Sequence, residues 1–292
     1  MNNVLENSLL KAEKKSTKEV DAILKRKLPS YSNKESFDTL WNLSDFSLEN
    51  VGLIESLSLE QSHALKDKLA ANRLIEAYNI EKAGMTFAAK MSLLAKSLNE
   101  QKLYSCFSKE EATHFSMIES ILGDRSTDAP DEFIKFLNEV IISGSRNSLV
   151  FIIQVVLEGW GIDHYGLMAK SCKDDQMTNL FYEILADEAG HHGSGVSLFE
   201  ESELSTNELN YIVEMMTHFL KMVTCGPLST IECIKGVCHD LTKRQEQQLL
   251  QDMQAKAETI RKIDFIKGLI NKSKALNIMG RLESANAFEL TY

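Results

Sequence analysis

Only three prolines, at positions 29, 130 and 227, occur in 292 residues, and few glycines interrupt the periodic segments between them. Proline removes a helical hydrogen bond and clashes with the preceding turn, so its scarcity leaves almost the whole chain open to long helices. No stretch alternates apolar and polar residues as a half-buried strand does, and an all-α fold is expected. Ser58-Leu59-Glu60-Gln61 is a capping box, in which Ser58 and Gln61 satisfy each other's backbone N–H groups. It predicts a helix running to about Ser97. Further helices are expected over Glu100 to Leu122, ending at Gly123-Asp124, and after Pro130 as far as the break at Ser143-Gly144-Ser145. Two more are expected over Asn147 to Cys172 and Asp174 to Phe199, which makes a four-helix core. Beyond it, Ser205 to Val223 reads as helical, Gly226-Pro227 interrupts, and the capping box Thr242-Lys243-Arg244-Gln245 opens a helix toward Asn271.

An internal repeat, weak by identity count, carries the functional signal. Glu81 to His114 aligns without gaps on Glu158 to His191 at a constant offset of 77 residues. Eight positions are identical: Glu81/Glu158, Gly84/Gly161, Met91/Met168, Lys96/Lys173, Leu103/Leu180, Glu111/Glu188, Ala112/Ala189 and His114/His191. Apart from the lysine, every retained polar residue is of a metal-ligand type. Each copy reads Glu, a step of thirty residues, then Glu-x-x-His.

Glu and His three apart project from one helix face. With a helix reversal midway, near Leu98 or Lys173-Asp174, the earlier Glu returns to the same level on the neighbouring antiparallel helix, because each arm is roughly 20–25 Å at about 1.5 Å per residue. Two such hairpins packed together would put four carboxylates and two imidazoles in one bundle core. That donor set suits a pair of iron or manganese ions better than zinc. The surroundings point to burial: Phe151, Val155, Gly161, Ile162 and Tyr165 share the face of Glu158, and Leu74, Tyr78, Gly84, Met85 and Ala88 that of Glu81. An unpaired carboxylate there would cost several kcal/mol, which metal coordination offsets.

Over residues 70–200 the sequence resembles the ferritin-like superfamily of di-iron carboxylate proteins, whose motif is one Glu from each of two helices and Glu-x-x-His from each of the other two. The resemblance implies a ferritin-like four-helix bundle, with Glu81, Glu111, His114, Glu158, Glu188 and His191 as ligands and Glu111 and Glu188 bridging the metals. It also implies orienting carboxylates just before the Glu-x-x-His glutamates, a role for which Glu110 and Asp187 are placed, a solvated acidic face being the alternative. The arginine often found beside the histidine in such families is absent, and Thr113 and Gly190 stand there instead. On this reading residues 1–57 form an N-terminal extension, 58–200 the dimetal core and 201–292 a helical extension of the same domain. The extensions could cover the core, form a subunit interface or bind a partner.

Other residues invite a structural and a functional reading. Met85, Phe107, Phe115, Phe151, Ile162 and Tyr165 would line either a core or an apolar substrate pocket. His192, four after Glu188, would be a packed histidine, an added ligand or a proton donor. Asp163 and His164 are expected to face solvent or a neighbouring helix. Gly190, Gly193 and Gly195 weaken a helix, for close packing or for substrate space. Of the possible redox neighbours Tyr78, Tyr165 and Tyr182, none lies one turn after His114, where Ile118 stands, which disfavours the radical-generating subunit of ribonucleotide reductase.

Composition excludes several classes. A formal net charge of -10 has the wrong sign for a protein whose main work is neutralising phosphates. The Lys-rich segment Lys11 to Lys27 is the only support for RNA binding, and a solvated face is the blander reading. The apolar run Leu149 to Leu157 contains Gln154 and meets Glu158, well short of a membrane span, and reads as a buried helix. Met1 to Lys27 lacks the apolar core of a secretory signal, and the five cysteines contain no Cys-x-x-Cys pair. A cytoplasmic protein without disulfides is expected.

The function expected from these features is a non-heme dimetal oxidase or oxygenase that uses two Fe ions, or Mn or a mixed pair, and O2 to oxidise a small, apolar organic substrate. An external electron donor and a homodimer fit this reading, and no membrane is involved. The alternatives are a ferritin- or bacterioferritin-like ferroxidase or peroxidase, and a non-catalytic helical binding module. Missing rubredoxin-type cysteines argue against a rubrerythrin.

Overall fold

The computed structural model describes residues 16–125, 132–238 and 241–290, and these are all-helical with no strand among them. The helices are α1 (Lys18–Lys27), α2 (Leu59–Leu94), α3 (Leu98–Leu122), α4 (Glu132–Ser143), α5 (Gly159–Ser171), α6 (Asp175–Leu198), α7 (Thr206–Cys225), α8 (Pro227–Lys235), α9 (Lys243–Asp252), α10 (Ala255–Lys272) and α11 (Leu276–Ser284). Short helical turns and a π-helical segment, Val150–Glu158, complete the order. The chain forms two compact units that are discontinuous in sequence: residues 1–35 with 74–150, and residues 36–73 with 151–292.

In the first unit α2 and α3 form an antiparallel hairpin. Ser97 caps α3 by accepting from the Glu100 N–H, and Glu100, itself buried, is held by Arg146 Nε at 2.7 Å. Down the hairpin Ser92 meets Ser105, the Phe87 ring meets Tyr104 edge-on at 6.2 Å, and Tyr78 lies 4.7 Å from Phe115. Lys90 Nζ donates to the carbonyls of Ile141, Ile142 and Gly144, which satisfies the open end of α4 and ties it to α2. α3 stops at Gly123, whose φ of +59° suits glycine, and a Cβ there would meet the Asn33 side chain at 2.6 Å. Pro130 lies outside the described residues, as does Lys11 to Lys15 of the basic segment. α1 buries no residue, and it exposes Val20, Ile23 and Leu24.

In the second unit α5 and α6 pair antiparallel, with Tyr165 against Phe181 and Gly166 against Leu185. Asp174 caps α6 through the Met177 N–H. The capping boxes at Ser58/Gln61 and Thr242/Gln245 form as expected. Trp41 is buried and donates from Nε1 to the Met168 carbonyl, while Arg73 lies over its ring and donates to the Asp45 carbonyl. The start of α2, the segment 48–54 and α8–α9 share an apolar cluster of Leu48, Val51, Ile54, Leu65, Leu69, Ile231, Ile234 and Leu249. α10 packs on α5, α7, α9 and α11.

Two helices differ from expectation. The one expected over Asn147 to Cys172 winds as a π-helix from Val150 to Glu158 before becoming α5. The segment is rich in β-branched residues, Val150, Ile152, Ile153, Val155 and Val156, which favour a regular α-helix less than unbranched ones do. The helix expected from Thr242 to Asn271 breaks after Asp252, where Gln254 turns left-handed at φ 51° and Met253 enters the apolar cluster. No helix among the described residues is long and apolar enough to cross a membrane, and all five cysteines are free.

Asp163 reaches the neighbouring helix α10 through Arg261 at 3.2 Å. His164 packs edge-on to Tyr165, and its Nε2 is enclosed without a hydrogen-bond partner. Burial, reinforced by the charges of Arg73 and Lys262, pushes its pKa down to about 3. The folded state therefore keeps His164 neutral while the unfolded chain takes up a proton below its ordinary pKa. Its contribution to stability is present above about pH 6.5 and is lost as pH falls toward 3. Between pH 7 and 5 the wild type should lose about 2 kcal/mol through this residue. Urea unfolding at the two pH values checks it: His164→Phe should show a pH-induced loss smaller by that amount, and an identical loss contradicts the assignment.

Candidate metal centre

The α2–α3 hairpin brings Glu81, Glu111 and His114 together, each offering one ligand atom within 4.8 Å of the others. Their side chains are buried, at 0%, 4% and 1% exposure. His114 Nδ1 lies 3.1 Å from Glu81 Oε2, so the helix face that carries Glu-x-x-His meets the earlier glutamate at one level, as the thirty-residue step requires. Gly84 stands one turn after Glu81. A Cβ on it would lie 2.2 Å from Glu111 Oε2, so the missing side chain is the hollow that holds the Glu111 carboxylate.

The residues of the second copy are buried as well. Glu158 closes the π-helical segment, Glu188 and His191 lie on α6, and all three are buried. Gly161, again one turn after its glutamate, faces Glu188, with a hypothetical Cβ 3.8 Å from Oε2. The Gly84 position of the repeat thus has a steric reason in the first hairpin, whereas a Cβ on Gly161 would make only ordinary contact. Buried carboxylates beside an imidazole, with space kept for the carboxylate by glycine, form an oxygen-rich donor set suited to iron or manganese.

The remaining sequence-predicted residues divide between the units. In the first, Phe107 is buried edge-on to Tyr104, Phe115 lies against Tyr78, Met85 is half-buried on α2, and Ile118 is fully buried. In the second, Phe151 packs on Phe199 at 4.8 Å, Tyr165 is buried beside Phe181, and Ile162 is half-buried. Tyr182 is half exposed. Glu110 and Asp187 are half-buried. Thr113 turns its hydroxyl to the Lys109 carbonyl of its own helix. Of the α6 glycines only Gly195 is closely packed, whereas Gly190 and Gly193 are exposed, and a Cβ on either meets nothing within 4 Å. A shallow surface hollow of about 290 Å³, lined by Asn33, Lys34, Glu35, Leu122, Asp124 and Arg125, contains none of these residues.

Sequence reasoning did not assign Gln154 a role. The residue is fully buried, its Nε2 donates at 3.1 Å to the His191 carbonyl and to Ser194 Oγ, and its own carbonyl accepts from His192 Nδ1. The available signal was a single amide inside an otherwise apolar run. No family model matches the chain, and no match emerges among curated proteins or solved structures.

The two repeat glycines predict opposite behaviour. Gly84→Ala should displace the flexible Glu111 carboxylate, keep the thermal midpoint at or above wild type because alanine favours the helix, and weaken Fe(II) binding at least tenfold. Gly161→Ala makes only ordinary contact and should bind Fe(II) as wild type does. Thermal melts and anaerobic Fe(II) titration of both variants check this pair, and wild-type affinity in Gly84→Ala would remove the hollow from the site.

Proposed function

We propose that the protein is a ferritin-like dimetal oxidase or oxygenase that uses O2 on a small organic substrate, its two Glu/Glu-x-x-His triads supplying the ligands. The observation that carries this reading is the buried Glu81, Glu111 and His114 triad with its glycine hollow, in a hairpin whose sequence plan is duplicated around Glu158, Glu188 and His191. Carboxylates inside a helical hairpin need a cationic partner to offset their desolvation, and two divalent cations would balance the four glutamates.

When bound, an iron or manganese pair supplies the redox chemistry that protein side chains lack, delivering electrons to O2. The chain's own part is to hold and to shield. Without a metal, His114 Nδ1 and Glu81 Oε2 lie 3.1 Å apart, so the two side chains are held together at one level before an ion arrives. Tyr78, Phe115, Ile118 and Met117 pack around that level of the first hairpin and keep bulk water away from it. In the second hairpin Phe151, Val155 and Tyr165 are buried on the helix that carries Glu158.

The test is anaerobic Fe(II) titration of the apoprotein, followed by one exposure to O2 while oxygen uptake and the visible spectrum are recorded. Two irons per chain and O2 consumption are expected. Glu111→Ala and Glu188→Ala should each lose the two-iron stoichiometry while far-ultraviolet circular dichroism stays helical. A wild-type chain that binds no stoichiometric metal overturns the reading, and full two-iron loading in both variants overturns the ligand assignment.

A further inference from the structure

The two copies of the repeat differ one helical turn from their ligands. Beside Glu81 and His114 in the first hairpin stand Ala77 and Ile118, both fully buried and apolar. The equivalent positions of the second copy hold Gln154 and Gly195, and His192 replaces Phe115. Gln154 lies four residues before Glu158, and Gly195 four after His191. The contact between them therefore sits one turn from a ligand on each helix.

That contact is close and hydrogen-bonded. A Cβ on Gly195 would lie 2.4 Å from Gln154 Cβ, so only glycine lets the two backbones approach this far. The Gln154 amide donates to the carbonyl of His191 and to Ser194 Oγ, and Ser194 Oγ itself donates to the same carbonyl at 2.8 Å. In return the Gln154 carbonyl, inside the π-helical segment, accepts from His192 Nδ1 at 3.1 Å. Gly159 gives that imidazole its room, since a Cβ there would lie 2.9 Å from His192 Nδ1.

From this geometry we infer that Gln154 is a positioning residue for the second ligand triad: its side chain grips the backbone of His191, its main chain holds His192, and together they fix the rotation and register of α6 against the turn that ends in Glu158. The inference rests on the dimetal reading. It makes the two halves of the ligand set unequal, the first held by apolar packing and the second by an amide clamp that packing alone cannot replace. An apolar residue of the same volume removes the donor to Ser194 Oγ and leaves the His191 carbonyl with Ser194 Oγ as its side-chain donor, so the grip of one helix on the other is lost and the helices are free to adjust.

Anaerobic Co(II) titration of the full chain, read by its visible absorption bands and paired with thermal melts of the metal-free protein, tests the clamp. Wild type should bind two Co(II). Gln154→Met should bind one equivalent as wild type does and the other roughly tenfold more weakly, with altered bands for the weakened ion and a metal-free midpoint lowered by a few degrees at most. Gly195→Ala keeps the amide but drives it off His191, and it should show the same split. If Gln154→Met does not fold, Gly195→Ala decides on the same criteria. Two equivalents at wild-type affinity and spectrum in the variants, or parallel weakening of both together with a lowered midpoint, would overturn the positioning role and leave the dimetal reading intact. Absence of stoichiometric Co(II) and Fe(II) binding in the wild type overturns both.

Discussion

Placing ionisable carboxylates inside packed helices is the constraint on which the rest of this structure depends. Glu81, Glu111, Glu158 and Glu188 are each at most 9% exposed, in surroundings made of leucine, isoleucine, phenylalanine and tyrosine. A carboxylate there is tolerated only where hydrogen bonds or a cation compensate for lost water. The hairpin register follows from that demand. In the first hairpin Glu81 meets His114, and the space left by Gly84 receives Glu111. In the second the same spacing sets Gly161 against Glu188.

The repeat keeps the candidate ligands and a few neighbours such as Gly84/Gly161 and differs in much of the rest. Where the first copy packs Ala77 and Ile118, the second uses Gln154 and Gly195, and the helix leading to Glu158 changes its winding. A π-helical stretch is rare outside functional sites because its hydrogen bonds and packing are poorer than those of an α-helix. Here the segment joins a hydrogen-bond network whose members lie within about a turn of the candidate ligands. The additions outside the repeat serve packing on their own account: residues 48–54 join the start of α2, α8 and α9 in one apolar cluster, and α10 covers α5.

Much of this was legible in the amino-acid order, and the physical reason is locality. Capping boxes at Ser58 and Thr242, the stop at Gly123 and the break at Ser143-Gly144-Ser145 involve groups within a few residues of each other. The Glu-x-x-His spacing works the same way, because three residues along a helix define one face whatever lies beyond. The thirty-residue step then follows from helix rise and a single reversal.

Side-chain type and spacing thus determined that the chain is helical, that Glu81 meets His114, and that Glu158, Glu188 and His191 are buried. Tertiary structure alone decided the rest. The π winding of Val150–Glu158, the left-handed turn at Gln254, the enclosure of His164 and the grip of Gln154 on His191 depend on residues tens of positions apart. The same holds for glycine. Gly195 reads alike with Gly190 and Gly193 in sequence, yet it makes room for Gln154 while the others face open space. What a missing side chain is for depends on which atoms the fold brings to that spot, and only packing supplies them.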